Sequence, residues 1–409
     1  MFSSGRDPNT LWGSEGLQPT RNQHSLRALN VAAFLIGTAI LSLSSAGCRP
    51  APMPVTATQM LAGRTMGTSY SVQFLPVDGL DLIDLSTAVE NELELVNEQM
   101  STYLDHSEIS QFNQTESTDW FSVSADTAKV VACAKKIAEA TNGAFDVTVA
   151  PLVELWGFGT SGRPAQIPTD EKIRETLASV GIERIEVRSE PPAIRKADKA
   201  LTVDLSAIAK GHGVDRVSKI LETNGIQDYF VEIGGEVRVR GQRLGGGSWR
   251  VGIEQPDERV RSVFGVAELS DMALATSGSY RNFFEMDGVR YSHTISPLTG
   301  KPVRDPIVSA SVLASDCMTA DAIATSMMSI GFEAGLELAE EEGWAVMLMA
   351  VNETSDTDGS WRVAGTSRFE ELQPQLSESF TDVVTPASVE DRIETDGAKR
   401  GDTAGAPMH

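Results

Sequence analysis

Apolar and polar positions along the chain fall into alternating strand-like and helix-like stretches. Residues 69–75 read as a strand, and 84–100 as a helix with Thr87 and Glu90 at capping-box spacing near its start. Residues 125–141 predict a second helix, stopped by Asn142-Gly143. A shorter helix follows Pro168 and ends near Gly181. Residues 201–204 read as a strand leading into a helix over 206–223, which Asn224-Gly225 closes. Glycine-punctuated β structure covers 229–254. A strand at 308–313, helices at 318–330 and 333–342, and a strand at 344–351 follow. Long hairpins beside helices predict a mixed α+β fold of largely antiparallel sheets with packed helices, and no clear short-period repeat is present.

One further hairpin lies within residues 277–302, two short strands about an Asp287-Gly288 turn. Its return strand carries His293 between Ser292 and Thr294, and a Pro-Leu-Thr-Gly turn follows. A strand histidine among Ser, Thr, Arg and Tyr is either a proton acceptor near neutral pH or a residue satisfied by neighbouring hydroxyls.

The two ends differ from the body. Arg6, Arg21 and Arg27 precede an apolar run over 31–43, and then Ser-Ser-Ala-Gly leads to Cys48. This is the layout of an export signal, with an apolar stretch short of the ~20 residues of a membrane span. Cys48 after Ala46-Gly47 resembles a bacterial lipobox, although Ser45 stands where Leu is usual. The expected division is an export segment at 1–48, a Pro-rich linker at 49–57, a catalytic body at 58–369 and an acidic disordered tail at 370–409. Cys133 and Cys317 lie in apolar helical patterns, so free buried thiols are favoured over a disulfide.

The formal charge is −23, and losing the net +1 of the export segment takes the remainder to −24. Such a chain lacks the basic face that nucleic acid requires. An acidic protein that binds a phosphorylated ligand calls for a divalent cation between the two.

Several segments carry chemistry-bearing residues. TADAIAT sets Asp321 and Thr325 four residues apart, one helical turn on one face. Two hard oxygens so placed suit Mg²⁺, and equally suit an exposed Asp beside a packed Thr. VDLSAIAKGHGVDRV puts Asp204 at a strand end and Lys210 in the second turn of the following helix. That is either a phosphate site at a helix N-terminus or a capped helix with a solvated lysine. Gly234-Gly235 marks a bulge or a close ligand approach, and Gly245-Gly246-Gly247 reads as a hairpin turn. Met66-Gly67-Thr68 reads as an entry turn, and Asp146 sits among apolar neighbours in GAFDVTVAPLVELWGFG.

Taken in order, MGT, STY at 101–103, FDVTVAPLVELWGFG, DLSAIAKG, EIGGE, SGSYRN, SHTISPLTGKP and TADAIAT together resemble the ApbE family, the FAD:protein FMN transferases. The resemblance spans about 65–351 and implies an ApbE/T-fold-like single large catalytic domain. It implies a magnesium-dependent enzyme that splits FAD at its pyrophosphate. FMN then joins a Thr or Ser of an acceptor protein through a phosphoester, and AMP is released. The positions matching flavin-nucleotide contacts are Met66, Tyr103, Ala144, Phe145, Asp146, Asp204, Lys210 and Ile295. Those matching metal ligands are Ala207, through its carbonyl, Asp321 and Thr325; some members have a second Asp where Ala324 stands here. His293 matches the general base. The implied partners are FAD and acceptor flavoproteins such as subunits of membrane redox complexes, met by a lipid-anchored lipoprotein on the periplasmic side of a bacterial membrane. The same residues also suit an FAD pyrophosphatase yielding FMN and AMP, or a non-catalytic flavin-binding lipoprotein.

Overall fold

The structure is a computed structural model that describes residues 57–377 and Phe380, apart from 160–161, 163–165, 257–261, 280–282, 287, 305 and 352–360. The chain divides into units at 1–53 and 54–409, and the first lies outside the described residues, together with the export segment and Cys48. Nearly all of the linker at 49–57, Tyr280 to Asn282 of SGSYRN and the tail beyond Phe380 also lie outside them.

Eight strands form one antiparallel sheet whose spatial order follows the chain: Gln59–Thr65, Thr68–Phe74, Tyr229–Ile233, Glu236–Arg240, Ala273–Gly278, Ile307–Ala314, Ala345–Val351 and Trp361–Gly365. The α+β expectation holds, with antiparallel pairing throughout this sheet. The strand Ala345–Val351 shows why the sheet is a middle layer. Val346, Leu348 and Ala350 enter a core shared with helices, while Ala345, Met347 and Met349 face the opposite core. Both faces are buried, so the strand reads as a continuous apolar run rather than an alternation. One face carries the helices Leu82–Met100, Ala209–Thr223 and Cys317–Ile330. The other is covered by the hairpin Trp249–Glu254/Val263–Leu269 and the helices that follow Trp361–Gly365.

Local departures from the predicted elements have visible causes. The first long helix runs Leu82–Met100, and Asp81 caps it by accepting from the Ile83 and Asp84 amides. Thr87 instead donates to the Ile83 carbonyl, so the Thr87/Glu90 box is not used. Residues 201–204 form no strand. The Asn113 side chain donates to the Val203 carbonyl at 2.8 Å and accepts from its amide at 2.7 Å, taking both groups a ladder would use. Gly234 and Gly235, at φ 64° and 107°, form the two-residue turn between Tyr229–Ile233 and Glu236–Arg240, which is a hairpin rather than a bulge. The Gly245 to Gly247 run turns the chain from Glu236–Arg240 toward Trp249–Glu254, two strands of different sheets. The predicted hairpin is present as Phe283–Met286 and Val289–Ser292, with Met286 opposite Val289, and His293 lies in a bend just past the return strand rather than on it; Asp287 lies outside the described residues.

Helical structure continues past Phe369. The helix Ser367–Leu372 is followed by Pro374–Ser377, with Gln373 and Leu376 buried. Gln373 accepts from the Glu268 amide and donates to its carbonyl. A short apolar anchor within acidic surroundings was enough to hold this segment to the second hairpin. Cys133 and Cys317 are free thiols, as expected, although only Cys317 is fully buried and Cys133 is half-buried. Among the described residues, no helix is long and apolar enough to cross a membrane.

Candidate functional site

A cavity of about 600 Å³ is lined by Met66, Gly67, Met100, Tyr103, Asp204 and Lys210, among others. Met66, Tyr103, and Asp204 with Lys210, from three segments far apart in the chain, therefore share one concavity. Each is put there by a definable local structure. Thr65 pairs with Thr68, so Met66 and Gly67 form a two-residue hairpin turn with φ of 47° and 73°. Left-handed backbone at a methionine is uncommon and costs energy, and such strain collects at binding sites. Tyr103 follows the end of the helix Leu82–Met100 and is 81% exposed, an apolar ring available to a planar ligand. Asp204 Oδ1 accepts from the Ser206 amide at 2.9 Å and from the Ser206 hydroxyl, an Asx turn that bends the chain before the helix Ala209–Thr223.

That helix starts at Ala209, so Lys210 lies in its first turn rather than its second. Its free N–H groups are partly consumed. The Ala209 amide donates to the Leu205 carbonyl, and the Gly211 amide donates to Asp321 Oδ2 at 3.0 Å. The anion at this helix N-terminus is thus the chain's own Asp321, favoured there by the helix dipole. The Lys210 ammonium sits 3.0 Å from Glu236 Oε1 and 3.6 Å from Asp321 Oδ1. Burial alone would pull Lys210 down, but Asp321 and Glu236 carry its pKa above the ordinary lysine value. Burial and the neighbouring Asp321 charge raise Glu236, and the Lys210 ammonium 3.0 Å away opposes them by favouring its ionised form. Burial likewise raises Asp321, opposed by Lys210 and the Gly211 amide.

The sequence pointed to EIGGE but not to Glu236 itself. The available signal was a carboxylate directly after a Gly-Gly turn, at the start of an inner strand whose valines alternate with arginines. A Cβ added to Gly234 would lie 3.4 Å from Lys210 Cδ and 2.8 Å from Thr68 Cγ2, so this turn packs on the lysine stem.

The metal-type oxygens lie beside this cluster. Asp321 is 2% exposed on the helix Cys317–Ile330, and one turn later the Thr325 hydroxyl lies 3.3 Å from Ser277 Oγ on the strand Ala273–Gly278. Ala207 is partly buried against the core before the Lys210 helix, and Ala324 is fully buried in apolar contacts. Glu236 Oε2 is buried with no hydrogen-bond partner among the described residues. Two carboxylates against one ammonium leave one negative charge in excess when both are ionised, the form a nearby cation favours. Hard oxygens with uncompensated negative charge fit a divalent cation that takes few protein ligands and completes its shell with water and phosphate. No group of three or more His, Cys, Asp or Glu suited to a metal occurs among the described residues.

Ala144, Phe145, Asp146 and Ile295, expected at the flavin nucleotide, do not line this cavity. Ala144 and Phe145 are buried. Asp146 accepts from the Thr148 amide and hydroxyl through Oδ1 and from the Ile182 amide through Oδ2. Burial raises its pKa, while these bonds lower it. The neighbouring Val147 carbonyl accepts from the Asp204 amide at 2.7 Å, which ties this loop to the cavity wall. Ile295 is buried with Leu152, Trp156, Phe284 and Tyr291. Trp156 donates to the Gly300 carbonyl at 2.8 Å and stacks on Tyr291, which stacks on Phe284. Phe158 packs against Phe284 and meets the His293 ring edge-on at 6.3 Å. The apolar part of the WGFG segment is therefore an aromatic support that fixes the hairpin that ends just before His293.

Residues 66–348 match the model of the ApbE family. The chain is 46% identical over 310 residues to the FAD:protein FMN transferase of Vibrio cholerae, covering 76% of this chain and 91% of that protein. It is 40% identical over 338 residues to the FAD:protein FMN transferase of Haemophilus influenzae, covering 81% and 95%. Its fold is similar to the flavin transferase ApbE from Vibrio cholerae, with a TM-score of 0.71 and 43% identity over 77% of this chain and 99% of that one. The apo flavinyl transferase ApbE of Pseudomonas stutzeri superposes with a TM-score of 0.70 at 33% identity, covering 78% and 97%. Extensive identity and a shared fold lead to one conclusion: the chain belongs to the ApbE family.

Proposed function

We propose that this enzyme is an FAD:protein FMN transferase that moves FMN from FAD to a Thr or Ser hydroxyl of an acceptor flavoprotein. The new bond joins the hydroxyl oxygen to the FMN phosphorus, the pyrophosphate P–O bond breaks, and AMP leaves with the bridging oxygen. The observation that carries this reading is the shared wall of Met66, Tyr103, Asp204 and Lys210, with the Asp321 carboxylate 3.6 Å behind the ammonium.

Each residue has a role suited to its setting. Tyr103 and Met66 offer apolar contact to a flavin ring, and Lys210 offers a positive charge to the phosphates. Asp146, with Ala144 and Phe145, holds the loop that supports Asp204, and Ile295 packs beneath the His293 hairpin. His293 takes the proton of the attacking hydroxyl, which is a weak nucleophile until that proton is removed. Asp321, Thr325 and the Ala207 carbonyl would hold Mg²⁺, which when bound neutralises phosphate charge. The folded body works outside the cytoplasmic membrane, exported by residues 1–48 and anchored through a lipid on Cys48.

Incubation with FAD, Mg²⁺ and a candidate acceptor, followed by mass spectrometry of the acceptor, tests the reading. An acceptor heavier by one FMN, with AMP in equal amount, is the expected result. Free FMN and AMP without acceptor modification mark a pyrophosphatase. Retention of intact FAD marks a binding protein.

A further inference from the structure

We infer that Glu236 is a positioning residue for the cation site: it holds the Lys210 ammonium away from Asp321 and so keeps that carboxylate available to the metal. This rests on the reading of Asp321 as a metal ligand given above.

The two contacts of Lys210 are unequal. Its ammonium is at hydrogen-bond distance from Glu236, 3.0 Å, and at 3.6 Å from Asp321. Both carboxylates are nearly inaccessible, with side chains 5% and 2% exposed. In such a place an unpaired charge is costly, so a lysine with one carboxylate partner collapses onto it. With two partners, the ammonium is shared and the nearer carboxylate sets its position. The Lys210 stem is held on its flank by the Gly234 turn, immediately before Glu236 in the same hairpin. The first turn of the lysine helix is tied to Asp321 through the Gly211 amide. Backbone and stem are thus fixed, and the remaining freedom of the ammonium is the choice between two carboxylates. Glu236 decides it.

The consequence is a competition. A cation arriving at Asp321 must displace whatever positive charge already compensates it. Neutral Gln at 236 keeps the shape but removes the charge that draws Lys210 aside. The ammonium then pairs with Asp321 alone, and the metal meets a stronger competitor. Glu236 acts here through Lys210 and touches no substrate.

Calorimetric titration of the full folded chain with MgCl₂, without FAD or acceptor, separates this from a local structural role. Glu236→Gln should weaken Mg²⁺ binding roughly tenfold, and in a Lys210→Met background the same change should alter it less than about twofold. Equal losses in both backgrounds, or no loss in either, would overturn the proposal. If Glu236→Gln does not fold, Glu236→Asp carries the same test, since its carboxylate is drawn back by one methylene. It should weaken binding about threefold with Lys210 present and leave it unchanged without it. Asp321→Asn separates the two levels. If it leaves Mg²⁺ affinity unaltered, the metal reading of the site fails, whereas a loss there with no Lys210-dependent effect at 236 removes only the role of Glu236.

Discussion

Asp215 and Asp321 hold each other's helices. Asp321, on the helix Cys317–Ile330, accepts the Gly211 amide in the first turn of Ala209–Thr223. Asp215, on Ala209–Thr223, accepts the Cys317 and Met318 amides, both at 3.0 Å, in the first turn of the other helix. Each carboxylate satisfies donors that a helix N-terminus leaves open and sits at the positive end of the partner's dipole. Arg238 adds an ion pair to Asp215 at 2.5 Å. Asp215→Ala should therefore cost about 3–5 kcal/mol, because it strands Arg238 and two amides at once. Urea unfolding measures the loss, and a cost below ~1 kcal/mol would show that the reciprocal capping is not holding the helix pair.

Gly211 allows these helices to meet. A Cβ there would lie 2.3 Å from the Cys317 carbonyl oxygen and 2.8 Å from Met318 Cα, and both are backbone atoms that cannot rotate away. Gly211→Ala should destabilise the fold by at least the ~1–3 kcal/mol typical of overpacking, despite alanine's higher helix propensity. It should also weaken Mg²⁺ binding by pushing Asp321 off the lysine helix. Thermal melts with and without Mg²⁺ read both effects; a stabilised variant would contradict the packing.

His293→Ala should lower FMN transfer by roughly 10²–10⁴-fold, the range for loss of a general base, with FAD affinity nearly unchanged. Single-turnover transfer and FAD fluorescence quenching separate the two quantities. Transfer at the normal rate would remove His293 from the chemistry.

His212 is 1% exposed, and neither ring nitrogen has a hydrogen-bond partner among the described residues. Burial first, then the charges of Lys129 and Arg216, lower its pKa from 6.5 to about 3; Asp126 Oδ1 lies 4.0 Å away. The unfolded chain takes up this proton near pH 6.5, and the folded chain does not until about pH 3. Stability is therefore lost as pH falls through that window, at up to about 1.4 kcal/mol per pH unit. His212→Gln should lose about 2 kcal/mol less than the parent between pH 7 and pH 5, measured by urea unfolding at each pH. Parallel losses would mean that other groups carry the acid sensitivity.

Asn113 does for residues 201–204 what a neighbouring strand would do. Asn113→Ala leaves both polar groups of Val203 without their partner and should cost about 2–3 kcal/mol. Because Asp204 is the next residue and lines the cavity, FAD affinity should fall several-fold. Titration with FAD checks this, and unchanged affinity would free the Asp204 turn from dependence on Asn113.

Local pattern alone determined the helices near 84–100, 125–141 and 318–330, the hairpin that ends just before His293 and the free thiols. In those places apolar period, caps and turn residues all act within a few positions of one another. Residue types also determined the classes of chemistry on offer: a histidine beside a hairpin, a helix-start lysine, and an Asp and Thr one turn apart. Tertiary structure alone decided what these groups face. Residues 201–204 have a strand's composition, yet a side chain 90 residues away takes their hydrogen bonds. The helix start at Lys210 read either as an open phosphate site or as a capped helix with a solvated lysine; Asp321, from 110 residues along the chain, takes the Gly211 amide, and the lysine is flanked by Glu236 and Asp321. Glu236 went unread because a carboxylate after a turn is ordinarily solvated, and only the approach of two other elements buries it. The pairing of buried charges depends on distances between segments remote in sequence, and no local pattern encodes those distances.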